Sequence, residues 1–535
     1  MATSKVLQNL VGSSRKAKYP AVQGSELSVN MYFAKNGPLE YMESLPGLKK
    51  LSQIGGRCRG CYVSTIGLKS VHSPEDMFVV MGSVLYRVDA LGNHTRIGGI
   101  ANNGKRVSFA EAGGPRALLL IADGSSLYYY DLIEGGNLVP IQLPERITAT
   151  GGTITPSHVA VVAGSIVVND TGSGYVYYSK PYPLNSDTRT MYKMSEKNVV
   201  YKSDGVTPDT EDVLSRLHVF EDDYGVQQYF NTESSSDNVN GIFAVGSTLY
   251  LFGPKTIEIW QRGSGEFEDW IRTSYTTQSS FGLEAPSSLA CVNSSLFFIA
   301  SGSQYGKSVI MANGANYKKI SEDWLDNKLL EESTNSAYGY CYSVGEHQFY
   351  VLQLDSIGET WVYDSLDGGW HKRTSRSLVS GIELQWRAQG VCYFREKFYA
   401  FTGDGLVCSF QSDYWKEDFA DGSSLPMIRH RQTAVIVDGF KPYTFEELSV
   451  ECNVGTWEDY TLKPMMLLEV SKDGGNTWGN VRSASLGRTG EYGHRVKWYN
   501  LGMNRLCVIR VTYSHPTDLV LTACSVRAEA TGAMQ

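Results

Sequence analysis

Abundant tyrosine and glycine (33 and 54 of 535 residues), a short phrase that returns along the first 410 residues, and a run of alternating segments after it together predict an all-β chain. The architecture expected is a β-propeller of six or seven blades with a large inserted loop, followed by a C-terminal β-sandwich. The boundaries are 1–50 for an N-terminal arm and first strand, 51–410 for the propeller with its insertion at 198–225, and 411–535 for the sandwich.

In the propeller stretch the phrase reads GSVLYRVD from Gly82, GSSLYYYD from Gly124, GSIVVND from Gly164 and GSTLYLFG from Gly246. NSSLFFIA from Asn293, HQFYVLQL from His347 and KFYAFTGD from Lys397 keep the same turn-then-strand shape. Aligned on Leu85, Leu127, Val167, Leu249, Leu296, Phe349 and Phe398, the copies stand 42, 40, 82, 47, 53 and 49 residues apart. Units of that length, each with several short strands, are the mark of a propeller. The 82 is the outlier. Residues 198–225, NVVYKSDGVTPDTEDVLSRLHVFEDDYG, are polar and acidic, and without these 28 the gap falls to 54, so one oversized loop explains it better than a missing blade.

Past Phe410, YWKEDFADGSSLP reads as a connector. TAVIVDG, EELSVECNVG, MLLEVSKDGG, RVKWYN, LCVIRVTYS and LVLTACSVRAE then alternate or run apolar between turn signals, which predicts a sandwich of about six strands. One of its hairpins carries S-x-D-x-G-x-T-W, formed by Ser471, Asp473, Gly475, Thr477 and Trp478. This is the Asp box that recurs in the propellers of sialidases and other glycan-active proteins. Each residue has a use without any substrate: Asp bonds backbone N–H groups two residues on, Gly takes positive φ, and Thr-Trp resumes a strand with a large anchor. The box holds no group suited to nucleophile or proton donor, so it is read as a structural turn.

Composition is ordinary for a globular protein, at 42% hydrophobic and 19% charged. No run of about 18 apolar residues occurs, and the start lacks the apolar stretch of a secretory signal, so folding in a cytosol is expected with no membrane segment. Nine Cys, an odd number, fit a reduced interior. Cys58 and Cys61 form a lone C-x-x-C whose next Cys is Cys291; with no second half nearby, they are expected to be alternating strand residues holding no metal and no obligatory disulfide. The formal charge of −8 argues against a phosphate-binding surface, and the densest basic cluster, Arg429-His430-Arg431, reads as a solvated strand edge.

No H-E-x-x-H, P-loop, G-x-S-x-G or repeated metal spacing is present, and the nine His are isolated. His347 is expected to be a half-buried strand residue. Glu221, Asp222 and Asp223 sit in a polar loop where solvation is the default. No catalytic, cofactor-binding or metal-binding residue and no cofactor is assigned.

Several phrases, in their order along the chain, resemble the tail hub or nozzle proteins of short-tailed bacteriophages, also called packaged-DNA stabilisation or tail accessory proteins. They are SVNMYFAKNG, SLPGLKKL, RGCYVS, SFAEAGG, LLLIADG, LYLFGPKTIEIWQRGSG, HQFYVLQL, TWVYDSLDGGWHKR, SKDGGNTW, GHRVKWYNLG and LCVIRVTYSHP. The resemblance implies a structural virion component without catalytic residues. It further implies a homohexameric ring below the portal and the head-to-tail adaptor ring, extending the DNA channel and helping to retain packaged DNA. Other tail proteins such as fibre, spike or needle are the implied partners, double-stranded DNA passes without sequence-specific binding, and assembly takes place in the host cytoplasm. An acidic wall would repel DNA and let it slide, which gives the missing basic stripe a reason.

Two other readings come from the Asp box: a sialidase-like propeller glycosidase, and a carbohydrate-binding receptor module without catalysis. A single box, lying outside the repeat, favours neither. Within 198–225 the residues Leu214, Leu217, Val219 and Phe220 form an apolar centre rimmed by acids, the composition of a subunit-docking patch. The alternative is a small hairpin folded back on its own blade.

Overall fold

The computed structural model describes residues 3–6, 26–65, 76–113, 117–133, 135–147, 151–179, 220, 226–232, 238–263, 270–273, 281–303, 306–331, 333–411, 413–436 and 442–530. The chain divides into two compact units. A blade unit comprises Leu51–Tyr340 and Ala388–Cys408; a sandwich unit comprises Met1–Lys50, Cys341–Arg387 and Ser409–Gln535.

Among the described residues the blade unit is made of six antiparallel sheets. The first is Cys58–Val63, Met77–Met81, Val84–Val88 and His94–Gly99. Ser108–Ala112, Leu118–Ala122, Leu127–Asp131 and Gly135–Ile141 form the second; Val159–Val162, Ser165–Asn169, Tyr175–Tyr178 and Tyr229–Asn231 the third. Gly241–Val245, Thr248–Phe252, Ile257–Arg262 and Trp270–Arg272 follow, then a sheet built on Ser295–Gly302 and Gly306–Asn313. The last joins Ala388–Phe394, Lys397–Thr402 and Leu406–Phe410 to Lys49–Gln53, a strand from near the start of the chain. That junction is tight: Ile54 N and Gly55 N both donate to Gly405 O at 2.9 and 3.1 Å. A Cβ on Gly405 would stand 2.5 Å from Gly55 Cα, so only glycine fits.

The hairpin chemistry explains the recurring phrase. Gly82 and Gly246, at φ +62° and +60°, open two-residue turns, where a first central residue of positive φ matches the twist of the flanking strands. Asn293-Ser294 and Arg395-Glu396 take positive φ at both central positions, the other favoured two-residue turn. Each of the seven aligned anchors falls on a different sheet: six on the blade unit, and Phe349 on a meander of the sandwich unit. Burial of alternate strand faces then stacks one sheet on the next. Phe78 and Val80 pack with Leu119 and Ile121, Leu120 with Ile166 and Val168, and Val162 and Val176 with Leu249 and Trp260. Phe252 packs with Phe298, and Cys58 and Val79 pack with Phe394, Tyr399 and Val407, so the sixth sheet covers the first.

Tyr177 pairs with Tyr229 within the third sheet. The segment 198–225 therefore lies in the connection between the third and fourth strands of one sheet.

Among the described residues the sandwich unit holds two large sheets and a two-stranded one, Lys416–Asp418 with Ser424–Pro426. In the first large sheet, Met31–Asn36, Leu39–Ser44, Val520–Ala530, Tyr443–Cys452 and Val496–Asn504 lie in that order, with Thr3–Val6 also paired to Val520–Ala530. The other large sheet runs from the meander Tyr338–Val344, His347–Leu354, Glu359–Asp364 and Gly369–Arg376 through Leu27–Val29 into Arg429–Gln432, Val508–Tyr513, Met465–Ser471 and Arg482–Ser485. Leu27–Val29 is the splice, parallel to Gly369–Arg376 and antiparallel to Arg429–Gln432. Between the two large sheets lies an apolar core that includes Met31, Met42, Leu448, Trp498, Ile509 and Leu521.

Asn30 stands where the chain leaves one sheet for the other. It is 1% exposed at φ +55°, a conformation Asn tolerates better than most side chains. Its Nδ2 donates to Thr374 O, Thr374 Oγ1 and Ile428 O at 3.1, 3.0 and 2.7 Å, and its Oδ1 accepts from Thr374 N at 3.1 Å. This is the Asn of SVNMYF. In SLPGL, a Cβ on Gly47 would stand 2.0 Å from Lys416 O, so two backbones meet there.

Two expectations for the sandwich are corrected. The described part of TAVIVDG, 433–436, contributes an isolated bridge, Ile436 to Cys507, while a strand lies just before it at Arg429–Gln432. That strand is no solvated edge. It is central, with Arg429, His430 and Arg431 at 0, 9 and 0% exposure.

Candidate functional site

The Asp box lies in the turn that closes the hairpin of Met465–Ser471 and Arg482–Ser485. Asp473 Oδ1 accepts from Asn476 N, Thr477 N and Ser471 Oγ at 3.0, 2.9 and 2.7 Å, and Oδ2 accepts from Thr477 Oγ1 at 2.6 Å. Ser471 Oγ in turn accepts from Gly475 N at 2.8 Å. The Thr477 hydroxyl and amide, then Ser471, hold the Asp473 carboxyl well below the usual carboxylate range, so it stays ionised and accepting. That is the opposite of what a proton donor needs. Trp478 does not resume a strand as expected: it is half-buried, its ring 3.9 Å from the Arg510 guanidinium, which also bonds Glu469 at 2.9 Å.

Of the four apolar residues singled out in 198–225, Phe220 is 1% exposed and packed with Ile154, Ile166 and Tyr177 in its own unit. Gln228 N donates to Phe220 O at 2.7 Å, which ties the residue to the start of the returning strand. Leu214, Leu217 and Val219 lie outside the described residues, as do Glu221, Asp222 and Asp223.

Cys58 and Cys61 lie on the strand Cys58–Val63 as free thiols in the apolar cluster that contains Cys392. Burial, and then the neighbouring Cys61, push the Cys58 thiol up to about 12. A Cβ on Gly390 would stand 2.7 Å from Cys61 Sγ, so the thiols are packed against facing backbone. Among the described residues no group of three or more His, Cys, Asp or Glu is placed to hold a metal ion, and no helix is long and apolar enough to cross a membrane.

His347 does sit half-buried on a strand, but it has a partner. Its Nδ1 lies 2.6 Å from Asp364 Oδ2, and its ring meets the edge of Tyr32 at 4.8 Å. Burial works against the charged imidazolium, yet the hydrogen bond and charge of Asp364, helped by Glu43 and Asp367, win and raise its pKa. His371 is 3% exposed, and burial with the Arg373 charge pushes it down to about 3.

Three arginines of the sandwich unit, Arg373, Arg429 and Arg431, are 0% exposed. Among the described residues no carboxylate is hydrogen-bonded to Arg429: its guanidinium donates to the carbonyls of Thr517 (2.5 Å) and His515 and lies 4.9 Å from the Tyr513 ring. Arg373 lies 4.3 Å from the Trp386 ring and donates to Pro46 O at 3.0 Å. Sequence reasoning missed this buried basic layer, because Arg on a strand normally signals an edge. It also missed a repeated device in which a strand Trp bonds the Glu two residues before it. Trp260 Nε1 donates to Glu258 at 2.8 Å and Trp361 Nε1 to Glu359 at 2.9 Å. E-x-W at both places was the available signal.

The geometry thus contains turns, anchors and buried polar ties. Among solved structures, the chain is similar to virginiamycin B lyase from Staphylococcus aureus (9% identity, 67% of this chain and 96% of that one, TM-score 0.39). It is also similar to BBS1N in complex with ARL6DN (12%, 69% and 96%, TM-score 0.37) and to BamB from Moraxella catarrhalis (11%, 68% and 99%, TM-score 0.31). Likenesses this remote say nothing about activity. No curated protein matches the chain. Two family models do, consecutively: "Bacteriophage P22 Gp10, beta-propeller" over residues 24–406 and "Bacteriophage P22 Gp10, beta-sandwich" over residues 429–529. The chain belongs to the bacteriophage P22 Gp10 family and is a phage tail stabilisation protein.

Proposed function

We propose that the protein is a non-enzymatic hub of a short tail: identical chains joined in a homohexameric ring below the portal and adaptor rings, which extends the DNA channel and helps to keep the packaged genome inside. In this reading 51–410 forms the propeller and 411–535 the sandwich, with 1–50 as the arm that begins the chain. The observation that carries it is the tandem family match over nearly the whole chain. Supporting it, the formal charge is −8 and six copies would carry six times that, a wall along which DNA slides without sticking. The Asp box, the one feature that suggested a glycosidase, has its carboxylate committed to its own turn.

The acidic segment 198–225 is the proposed docking element toward a neighbouring subunit or another tail protein. Phe220 serves as its root in the blade, and Leu214, Leu217 and Val219 are the contact residues. Electron microscopy of the purified protein mixed with portal and adaptor rings tests the hub reading. A ring of density added coaxially below the adaptor is the expected result; failure to bind, or binding off the axis, rejects it. A deletion of 200–216 that leaves Phe220 in place should fold and fail to join tails; infectious particles at the normal level would reject the docking role.

A further inference from the structure

The blade unit closes on itself where its first sheet meets its last, and cysteines stand at that seam. Cys61 lies on Cys58–Val63, the first strand of the first sheet, and Cys392 on Ala388–Phe394, the strand of the last sheet packed against it. Each strand carries an irregularity near its start, between Cys58 and Gly60 and between Ala388 and Gly390. Arg106 ties the two together there: its guanidinium donates to Cys58 O at 2.7 Å and to Gln389 O at 2.6 Å, and lies 3.9 Å from the Tyr338 ring. Gly390 then lets the strands approach. The Cys61 sulfur takes the room that a Cβ would need there, and Cys392, two residues further on, shares a strand face with Gly390. The Cys61 and Cys392 thiols accordingly meet in a hydrogen bond.

Access sets the order in which these thiols react. Cys61 is partly exposed, whereas Cys58 is fully buried and Cys392 is 6% exposed, so a small oxidant meets Cys61 first. The bond with Cys392, and then burial, hold the Cys61 thiol well above its ordinary value, so it reacts slowly and survives synthesis in the reducing interior of a cell. The seam is otherwise held without covalent bonds, by Phe394, Tyr399 and Val407 against Cys58 and Val79 and by the bonds of Ile54 and Gly55 to Gly405. More than 300 residues separate Cys61 from Cys392, and a link across so long a loop restricts the unfolded chain strongly.

We propose that Cys61 and Cys392 are a redox pair that closes into a disulfide once the protein is outside the reducing cell, stapling the first sheet of the blade unit to the last. The oxidant is hydrogen peroxide, formed wherever oxygen is reduced by two electrons. It takes two electrons from the Cys61 sulfur, whose S–H bond gives way to an S–OH bond with release of one water. The Cys392 sulfur then displaces that hydroxyl, which leaves with the Cys392 proton as a second water, and the S–S bond forms. The staple goes beyond the hub reading, since it needs neither a ring nor a channel.

The test is oxidation of the folded full-length chain with hydrogen peroxide, followed by alkylation of the unfolded product, peptide mass spectrometry without reduction, and calorimetry. A peptide pair joined through Cys61 and Cys392 is expected, with the blade transition raised by about 5 °C and returned by dithiothreitol. Cys58→Ala should still form the link. Cys392→Ala should form none and should leave a Cys61 sulfenic acid that dimedone captures. Wild-type Cys61 and Cys392 left free, or oxidised without joining, overturn the proposal, as does a link of Cys61 to Cys58 or to a second copy. A Cys61–Cys392 link that leaves the blade transition unmoved overturns the role as a staple.

Discussion

The blade unit and the sandwich unit bury different things. Between the sheets of the blade unit the packing is aliphatic and aromatic, as with Leu120, Ile166, Val168 and Tyr177. Its buried ions are mostly bound to loops: Arg146 bonds Asp170 bidentately at 2.6 and 2.7 Å, and Arg59 gathers Gly82 O, Ala101 O and Asn103 Oδ1. The sandwich unit instead threads whole guanidiniums through its strands, at Arg373, Arg429 and Arg431. An apolar interface tolerates a change of shape if volume is kept, whereas a buried cation held by carbonyls leaves those carbonyls unpaired when it goes. Substitutions should therefore cost most where the interior is most polar.

The widest separation is expected for Arg429→Ala. Loss of packing around a fully buried side chain, with the part-buried carbonyls of His515 and Thr517 left without their donor, should cost the sandwich unit about 3–5 kcal/mol in urea unfolding. Recovery of the full stability by Arg429→Met would show that the polar interior contributes packing alone. Next is Phe220→Ala, which opens a cavity in the blade unit and should cost about 3–4 kcal/mol there, leaving the transition of the sandwich unit in place. An unchanged blade transition would mean that the ring is not part of that core.

Acid should also tell the units apart. In the blade unit, burial pushes His158 down to about 4, and in the sandwich unit His371 is pushed down to about 3. Such groups stabilise the fold above the unfolded value of about 6.5 and lose that contribution as pH falls toward the folded value. His347 has the opposite sign: raised by Asp364, it stabilises below about 6.5 and loses the contribution as pH rises through its folded value. Calorimetry from pH 8 to 4 should therefore show a one-sided decline for the blade unit and a partly offset one for the sandwich unit. His347→Gln should remove the offset, and an identical profile in that variant would break the comparison. The smallest effect is expected from Asp473→Ala, which should lower the melting temperature of the sandwich slightly and leave assembly intact. Its contribution is present above the ordinary carboxylate range and fades as pH drops below it, because its folded pKa is depressed.

The same contrast decides what could be read beforehand. Each anchor from Leu85 to Phe398 marks its own sheet because a two-residue turn and an apolar strand must recur wherever a hairpin does, and composition records both. Arg429–Gln432 was placed on the surface because a charged tetrapeptide has no local sign of burial; its partners, Thr517, Glu383 and Glu26, are remote in sequence. Asn30 was visible only as part of a family phrase. Its bonds to Thr374 and Ile428 span more than 340 residues, and local pattern carries no record of such a distance. The Asp box was legible as a turn, since its side-chain partners lie within four residues, but not in its bonds: Asp473 accepts from Asn476 N and Thr477 N rather than from the residue two on, whose N–H goes to Ser471.

Asn30 also has a consequence in time. A ribosome delivers it among the first residues, yet the groups it binds emerge with residues 374 and 428, and the strand that pairs with Leu39–Ser44 of the same arm ends at Ala530. At about 5–20 residues per second the arm waits on the order of half a minute or longer for its sheet, while the blade unit can close as soon as residue 408 is out. A chain stalled on the ribosome at residue 450 should accordingly resist protease in the described strands of the blade unit and be cut within 26–48. Protection of both would mean that the arm finds a temporary seat before its own is made.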